Sequence, residues 1–343
     1  MACGTRRQPG IYDCREHDTT VASTVAAAES DARFQRMVAS ADQVATYRER
    51  GWVSLEGLLS AEHARSLAAL VAEHAAEHLE TAIQSIATTQ GTSAQAARGI
   101  IGRALGGDAA ALSAVKASAG ATEIKMRSMH PDGVGAALFA ADDFDVAPDD
   151  VTNLIPRKIN RPYDKDARYR ETVHNPQLHA LASELVGKPV QIYGEQVFVK
   201  GAGIGSEKPH HQDNFYFKLK DPLDVITCWI ALDDASLANG CMKMSSGSHL
   251  RGMVPHDNHP TKETHLVARM DGESLAAVEP APVRAGGVVC WAGSMLHGSA
   301  ENASELGRCA FAVHFTAVGA ELLPDAPPTA FDKYHDTRVR GKL

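Results

Sequence analysis

The residues of this chain best suited to chemistry are histidines that stand two places before an acid. A metal ion that must also bind O2 or a cosubstrate takes its protein ligands on one face only, and two histidines with one carboxylate leave three octahedral positions open. The signature is His-x-Asp or His-x-Glu with a distant second histidine. With 16 His and 42 acidic residues among 343, roughly two such pairs arise by chance, so the pair alone decides nothing. Three occur, at His78/Glu80, His130/Asp132 and His211/Asp213. The first stands in Ala-rich helical sequence, where positions i and i+2 point some 200° apart and read as a surface pair. The second lies in loop sequence beside Pro131, with no apolar strand to fix it. The third follows GEQVFVK and precedes NFYFK. In an extended chain His211 and Asp213 share a face, and the other reading of that segment is a polar strand end.

The C-terminal run GGVVCWAGSMLHGSAENASELGRCAFAVHF supplies the rest. It reads as strand, turn, strand, turn, strand, with His297 and Ser299 on one face of the middle strand and Arg308 opening the next. The spacing predicts that the turn ENASELG returns Arg308 beside Ser299. A guanidinium one strand away from a metal-bound imidazole suits a dicarboxylate, whose near end chelates the metal while its far end meets a bidentate Arg and a hydroxyl. The plainer reading of Arg308 is an exposed charge at a strand start. His314 shares the Arg308 face and is a candidate to touch a ligand. His210 points away from His211, and His249 reads as a hydrogen-bonded structural residue.

The elements that must position these residues divide the chain. Residues 1–30 mix Gly, Pro, Thr and charges without a period and read as a flexible tail. From Ser40 a short helix, a strand at Trp52 to Leu55 and a helix opened by Ser60 are predicted, the Ser60 hydroxyl capping the first turn. Ala-rich helical sequence continues to about Ala119. Near Gly187 the pattern changes to KPVQIYGEQVFVKGAG, DVITCWIALDD, GGVVCWAG and RCAFAVHFTAV. These short β-branched and aromatic runs, punctuated by Gly, Pro, Asn and Asp, predict antiparallel strands. The fold expected is α+β with a mainly β core, a sandwich or barrel at about 187–320 with the helical part, about 31–186, packed outside it. One domain over 31–343 is the simplest organisation.

Composition limits the partners. Hydrophobic residues at 44% and charged residues at 22% are ordinary for a globular chain. A net charge of −8 argues against nucleic acid, which is bound through clustered Lys and Arg. No apolar run is long enough to span a membrane and the opening MACGTRRQPGIYDC has no secretory stretch, so a soluble cytoplasmic protein is expected, of undetermined oligomeric state. The six cysteines have no CxxC spacing. Four sit in strand-like sequence as small hydrophobes, while Cys3 and Cys14 read as free thiols of the tail.

Four segments in order, YRERGWVSLEGLLSAEHARSL, PHHQDNFYF, CWIALDDASLANGCMKMSSGSHLRG and LHGSAENASELGR, give the chain a resemblance to the phytanoyl-CoA dioxygenase family of Fe(II)/2-oxoglutarate oxygenases. They span about residues 45–318. The central signature departs from the family form at Lys243 and Ser245, where apolar residues or Pro are more common. The resemblance implies a double-stranded β-helix, the jelly-roll or cupin-like barrel. It implies iron on His211, Asp213 and His297, with Arg308 and Ser299 on the far carboxylate of 2-oxoglutarate. It also implies that Trp229, Gln196 and Lys200 line the cosubstrate side, although a core Trp and a solvated Lys are the plain readings of two of them.

The activity so implied consumes O2 and 2-oxoglutarate, releases succinate and CO2 and hydroxylates a small molecule. Asp213 argues against halogenation, which needs a small residue in its place. Desaturation, cyclisation, endoperoxidation, a non-catalytic metal-binding barrel and a metal hydrolase are the alternatives. Lys125, Arg127, Lys158 and Arg161, read as loop residues before the barrel, are candidates to face an anionic substrate.

Overall fold

A computed structural model describes residues 39–118, 144–147, 150–260 and 265–324. The N-terminal tail with Cys3 and Cys14, the pair His130/Asp132, Lys125 and Arg127 lie outside those residues.

Helix α1 (Ala41–Arg50) begins at Ser40, whose side chain accepts from the Gln43 amide while the Gln43 side chain accepts from the Ser40 amide, a reciprocal cap. It ends at Gly51, which takes φ +84° and whose absent Cβ leaves room for the His249 ring, 2.4 Å from where a Cβ would stand. His249 Nε2–H donates to the Arg48 carbonyl at 3.0 Å, so it is the structural residue expected. Strand β1 (Trp52–Leu55) follows. Helix α2 (Ala61–Gln90) starts where the sequence places it, the Ser60 hydroxyl accepting from the His63 amide at 3.1 Å. Its first half buries Leu67, Leu70 and Val71 against the β core. Its second half packs Leu79, Ile83 and Ile86 on α3 (Ala94–Leu105), α4 (Ala109–Ser118) and the strand pair β2 (Phe144–Ala147) and β3 (Asp150–Pro156). Strand β4 (Lys158–Asn160) and helices α5 (Ala167–Val173) and α6 (Pro176–Val186) lead into the core.

The core strands are β5 (Val190–Lys200), β6 (Lys208–His211), β7 (Val225–Ala231), β8 (Met242–Ser245), β9 (His256–Asn258), β10 (Leu266–Ala268), β11 (Val278–Ala281), β12 (Val288–Ala292), β13 (His297–Ser299) and β14 (Arg308–Ala317). A large sheet has the order β1-β12-β7-β14-β5-β4 and a smaller one β11-β8-β13-β6, while β9 and β10 pair separately. From β5 to β8, and again from β11 to β14, successive strands alternate between the two sheets. That alternation is the double-stranded β-helix, and it is the jelly-roll core expected from sequence.

The central strands of the large sheet are buried along their whole length, because each face has its own cover. Ile226, Cys228, Ile230, Phe311, Val313 and Phe315 face the helices, among them Leu178 and Leu181 of α6. Trp229, Ala231, Val289, Trp291, Ala310 and Ala312 face the small sheet and its Met242, Met244 and Ala281. Burial on both faces gives near-continuous apolar strands rather than an alternating pattern. Cys228, Cys241, Cys290 and Cys309 are free and buried, as small hydrophobes.

Two expectations are corrected. Lys158 is not a loop residue but stands in β4, opposite Phe198 of β5. The strands that carry Ser299 and Arg308 are not neighbours in one sheet. Strand β13 lies in the small sheet and β14 in the large one, where Arg308 pairs with Lys200. Alternation between sheets sends the turn after Ser299 across the core instead of back along the same sheet. Among the described residues no helix is long and apolar enough to cross a membrane.

Candidate metal centre

Pairing of β6 with β13 places His211 directly opposite His297, with ring centroids 4.3 Å apart. The sheet closes tightly here because the residue after His297 is glycine. A Cβ on Gly298 would stand 2.7 Å from the Lys208 carbonyl oxygen. After His211 the strand stops. Asp213 takes helical angles, φ −59° and ψ −37°, at the head of the turn Asn214–Phe217, so the shared face comes from this turn rather than from an extended run. Nε2 of His211 lies 3.6 Å from Asp213 Oδ1, and Nε2 of His297 lies 3.5 Å from it. The three ligand atoms all fall within 4.8 Å of one another, close enough to share one ion.

The hydrogen bonds around these atoms decide which lone pairs are free. His211 Nδ1 donates to the Pro209 carbonyl and His297 Nδ1 to the Met295 carbonyl, each at 2.9 Å and each two residues back. Both rings are thereby fixed as the Nδ1–H tautomer with a bare Nε2 turned to the centre. Asp213 Oδ2 accepts from Thr227 Oγ1 at 2.7 Å and from Trp291 Nε1 at 2.9 Å, which leaves Oδ1 to face the two imidazoles. Burial raises the Asp213 carboxyl, but the His297 and His211 imidazoles hold it well below the usual carboxylate range. Burial, with His297 and Lys208 nearby, pushes His211 well below its ordinary value. A neutral imidazole and an ionised carboxylate are the forms that bind metal.

Arg308 lies at the other end of the same interior face. It is 3% exposed, its guanidinium sits 4.9 Å above the Trp229 ring, and burial pushes it down to about 10. Its Nε and Nη1 have no hydrogen-bond partner. Between it and the histidines β14 carries Ala310 and Ala312, opposite Phe198 and Gln196 of β5, and Gly194 stands opposite His314.

The other predicted residues fall as follows. Ser299 is buried at the end of β13, level with Lys208 and Met242. Trp229 is buried under Arg308. Gln196 donates to Asn160 Oδ1 at 3.1 Å. Lys200 directs its ammonium to the Ser206 carbonyl and, at 2.6 Å, to the Ala300 carbonyl, tying the exits of β5 and β13 together. Sequence reading missed Trp291 and Thr227 as partners of Asp213. The signal was the alternation of Thr227 with Trp229 and of Trp291 with Val289, but only the register across strands brings the two side by side.

The phytanoyl-CoA dioxygenase family model matches residues 47–310. Phytanoyl-CoA dioxygenase domain-containing protein 1 of Mus musculus is 31% identical over 179 residues, 50% of this chain and 60% of that protein, so the match spans little more than half of that relative. L-proline trans-4-hydroxylase of Streptomyces griseoviridis is 28% identical over 192 residues, 50% of this chain and 72% of that protein. Among solved structures, EvdO2 from Micromonospora carbonacea var. aurantiaca, complexed with 2-oxoglutarate, superposes with a TM-score of 0.53 at 15% identity, over 86% of this chain and 98% of that one. With the family model spanning most of the chain and the fold shared, this protein belongs to the phytanoyl-CoA dioxygenase family.

Proposed function

We propose that the chain is an Fe(II)- and 2-oxoglutarate-dependent dioxygenase, one domain from about residue 31 onward, that hydroxylates a small molecule using O2. The observation that carries this reading is the buried guanidinium of Arg308, which has no ion pair among the described residues and leaves Nε and Nη1 unpartnered. A buried guanidinium with Asp233 only at longer range and two N–H groups unpaired is costly and calls for a ligand of opposite sign. The far carboxylate of 2-oxoglutarate supplies it, through a bidentate contact on Arg308 with Ser299 as the accompanying hydroxyl. Its keto acid end then reaches His211, Asp213 and His297, whose two bare Nε2 atoms and single carboxylate oxygen suit iron.

When bound, iron(II) supplies an open face on which O2 is activated while 2-oxoglutarate is oxidised to succinate and CO2. The chain's own part is to hold ligand geometry, to neutralise the dicarboxylate and to exclude water. The walls that do so are Trp229, Trp291, Ala310 and Ala312. A metal hydrolase would place a general base near the open positions, and Arg308 is a cation that accepts no proton. The likeness to a proline hydroxylase supports hydroxylation of a small molecule.

Anaerobic addition of Fe(II) and 2-oxoglutarate tests the reading. A weak visible charge-transfer band should appear, since a keto acid chelates iron only where two adjacent positions are open. At one hundred times the dissociation constant the ligand pair should stabilise the fold by about 2.7 kcal/mol. Succinate should stabilise less and give no band. Absence of both band and melting shift would overturn the proposal, and succinate release stimulated by one member of a small-molecule panel would identify the substrate.

A further inference from the structure

Across β12, β7 and β14 the register sets Trp291, Thr227 and His314 side by side on the interior face of the large sheet. Thr227 Oγ1 lies 2.7 Å from Asp213 Oδ2 and 2.9 Å from His314 Nδ1. A carboxylate only accepts, so the Thr227 proton points to Asp213. The hydroxyl oxygen therefore accepts from His314, which must carry its proton on Nδ1. The chain of donors runs one way, from His314 Nδ1–H through Thr227 Oγ1–H to Asp213 Oδ2.

That direction leaves His314 Nε2 bare, and it is a buried nitrogen with no hydrogen-bond partner. An orphaned buried acceptor is unfavourable, because it gives up water without gaining a donor. A residue kept only for packing, beside Phe217 at 4.9 Å between ring centroids, would be served as well by Phe or Leu without that cost. The useful atom of His314 is thus Nδ1. Its donation occupies a lone pair of the Thr227 hydroxyl, stops the hydroxyl rotating and polarises the O–H that reaches Asp213. With Trp291 Nε1 on the same oxygen, Oδ2 is clamped from two sides and Asp213 offers Oδ1 alone. A free carboxylate would swing round to present both oxygens and close a position that ligands need.

We propose that His314 is a positioning residue for the metal site, acting through Thr227 to hold Asp213 as a one-oxygen ligand. The inference rests on reading His211, Asp213 and His297 as that site. It predicts that the two side chains act as one unit.

The test is a double-mutant cycle on metal affinity, measured by anaerobic titration of the full chain with Fe(II) or Co(II) and by the Co(II) absorption spectrum, without turnover. Thr227→Val, nearly the same shape, and His314→Leu should each weaken binding between about 10-fold and 100-fold, the usual effect of removing a partner of a ligand. The double variant should be no worse than the Thr227→Val variant, because His314 has nothing to act on once the hydroxyl is gone. His314→Asn, whose amide can donate from near the Nδ1 position, should recover most of the affinity, as should Thr227→Ser. Multiplying losses in the double variant, or equal affinity in His314→Asn and His314→Leu, would overturn the proposal. Should His314→Leu not fold, the Thr227 pair and His314→Asn still decide it, since unchanged affinity and spectrum in Thr227→Val are equally fatal. A wild-type chain that binds no metal refutes the site itself, a separate outcome from a wild type that binds and variants that match it.

Discussion

Replacement of Arg308 by Met should separate stability from cosubstrate binding, because the same burial that makes the guanidinium useful makes it costly in the free protein. Burial pushes Arg308 from its ordinary value down to about 10, a difference worth about 3 kcal/mol against the charged form. The side chain is 3% exposed, so water screens little of it. The face of Trp229, 4.9 Å away, returns about 1 to 2 kcal/mol of that as a cation–π contact. Met keeps the aliphatic stem and removes the charge, so the ligand-free variant should be as stable as wild type or more stable by about 1 to 2 kcal/mol. For 2-oxoglutarate the sign reverses. Loss of one member of a buried, charge-assisted contact weakens binding by about 2 to 5 kcal/mol, tens to thousands fold, with Arg308→Ala in the same range. The assay is anaerobic calorimetric titration of the Fe(II) form with 2-oxoglutarate, beside urea unfolding of the metal-free form. Equal 2-oxoglutarate affinity in wild type and variant would refute the reasoning. So would a ligand-free variant several kcal/mol less stable than wild type, since that would mean the guanidinium is already compensated.

His211→Ala, Asp213→Ala and His297→Ala should each abolish iron binding and turnover while far-UV circular dichroism stays unchanged. Asp213→Glu should lower activity by about 100-fold or more, because the extra methylene moves the carboxylate off the Thr227 and Trp291 donors. Stability of the metal-free protein should fall on acidification, because burial pushes His314 down to about 4 in the fold from its ordinary 6.5. Above 6.5 both forms are neutral and nothing is lost. As pH falls from there toward about 4 the unfolded chain takes up a proton that the folded chain refuses, removing up to about 3 kcal/mol. Urea unfolding across that window should show a shallower decline in His314→Asn. Lys200→Met removes the donor of two carbonyls, Ser206 and Ala300, and should lower the urea midpoint by an amount equivalent to about 1 to 3 kcal/mol for each carbonyl left unpaired.

The starts of the first two helices, the long strands and the three ligands are legible in the sequence, each through a local rule. Ser60 before an Ala-rich run marks a cap, and VITCWIA, VVCWA and RCAFAVHFTA are apolar enough to be buried on both faces. His-x-Asp with a distant His is picked out by residue type, spacing and the apolar strand sequence beside it, and the HGS strand supplies the second imidazole. The short strands β2, β3 and β4 carry Asp, Asn and Pro and give no alternating signal, so Lys158 read as a loop residue. Only the tertiary structure decided which strands meet. A period of two assigns a side chain to a face but names neither its sheet nor its neighbour across the ladder. For that reason Arg308 and Ser299, close in sequence, lie in different sheets, while Trp291, Thr227 and His314, far apart in sequence, stand in one row beside Asp213. The clamp on the carboxylate and the unpaired charge of Arg308 are products of that register and of burial between two sheets, where packing of the whole core sets which polar atoms find partners and which are left for a ligand.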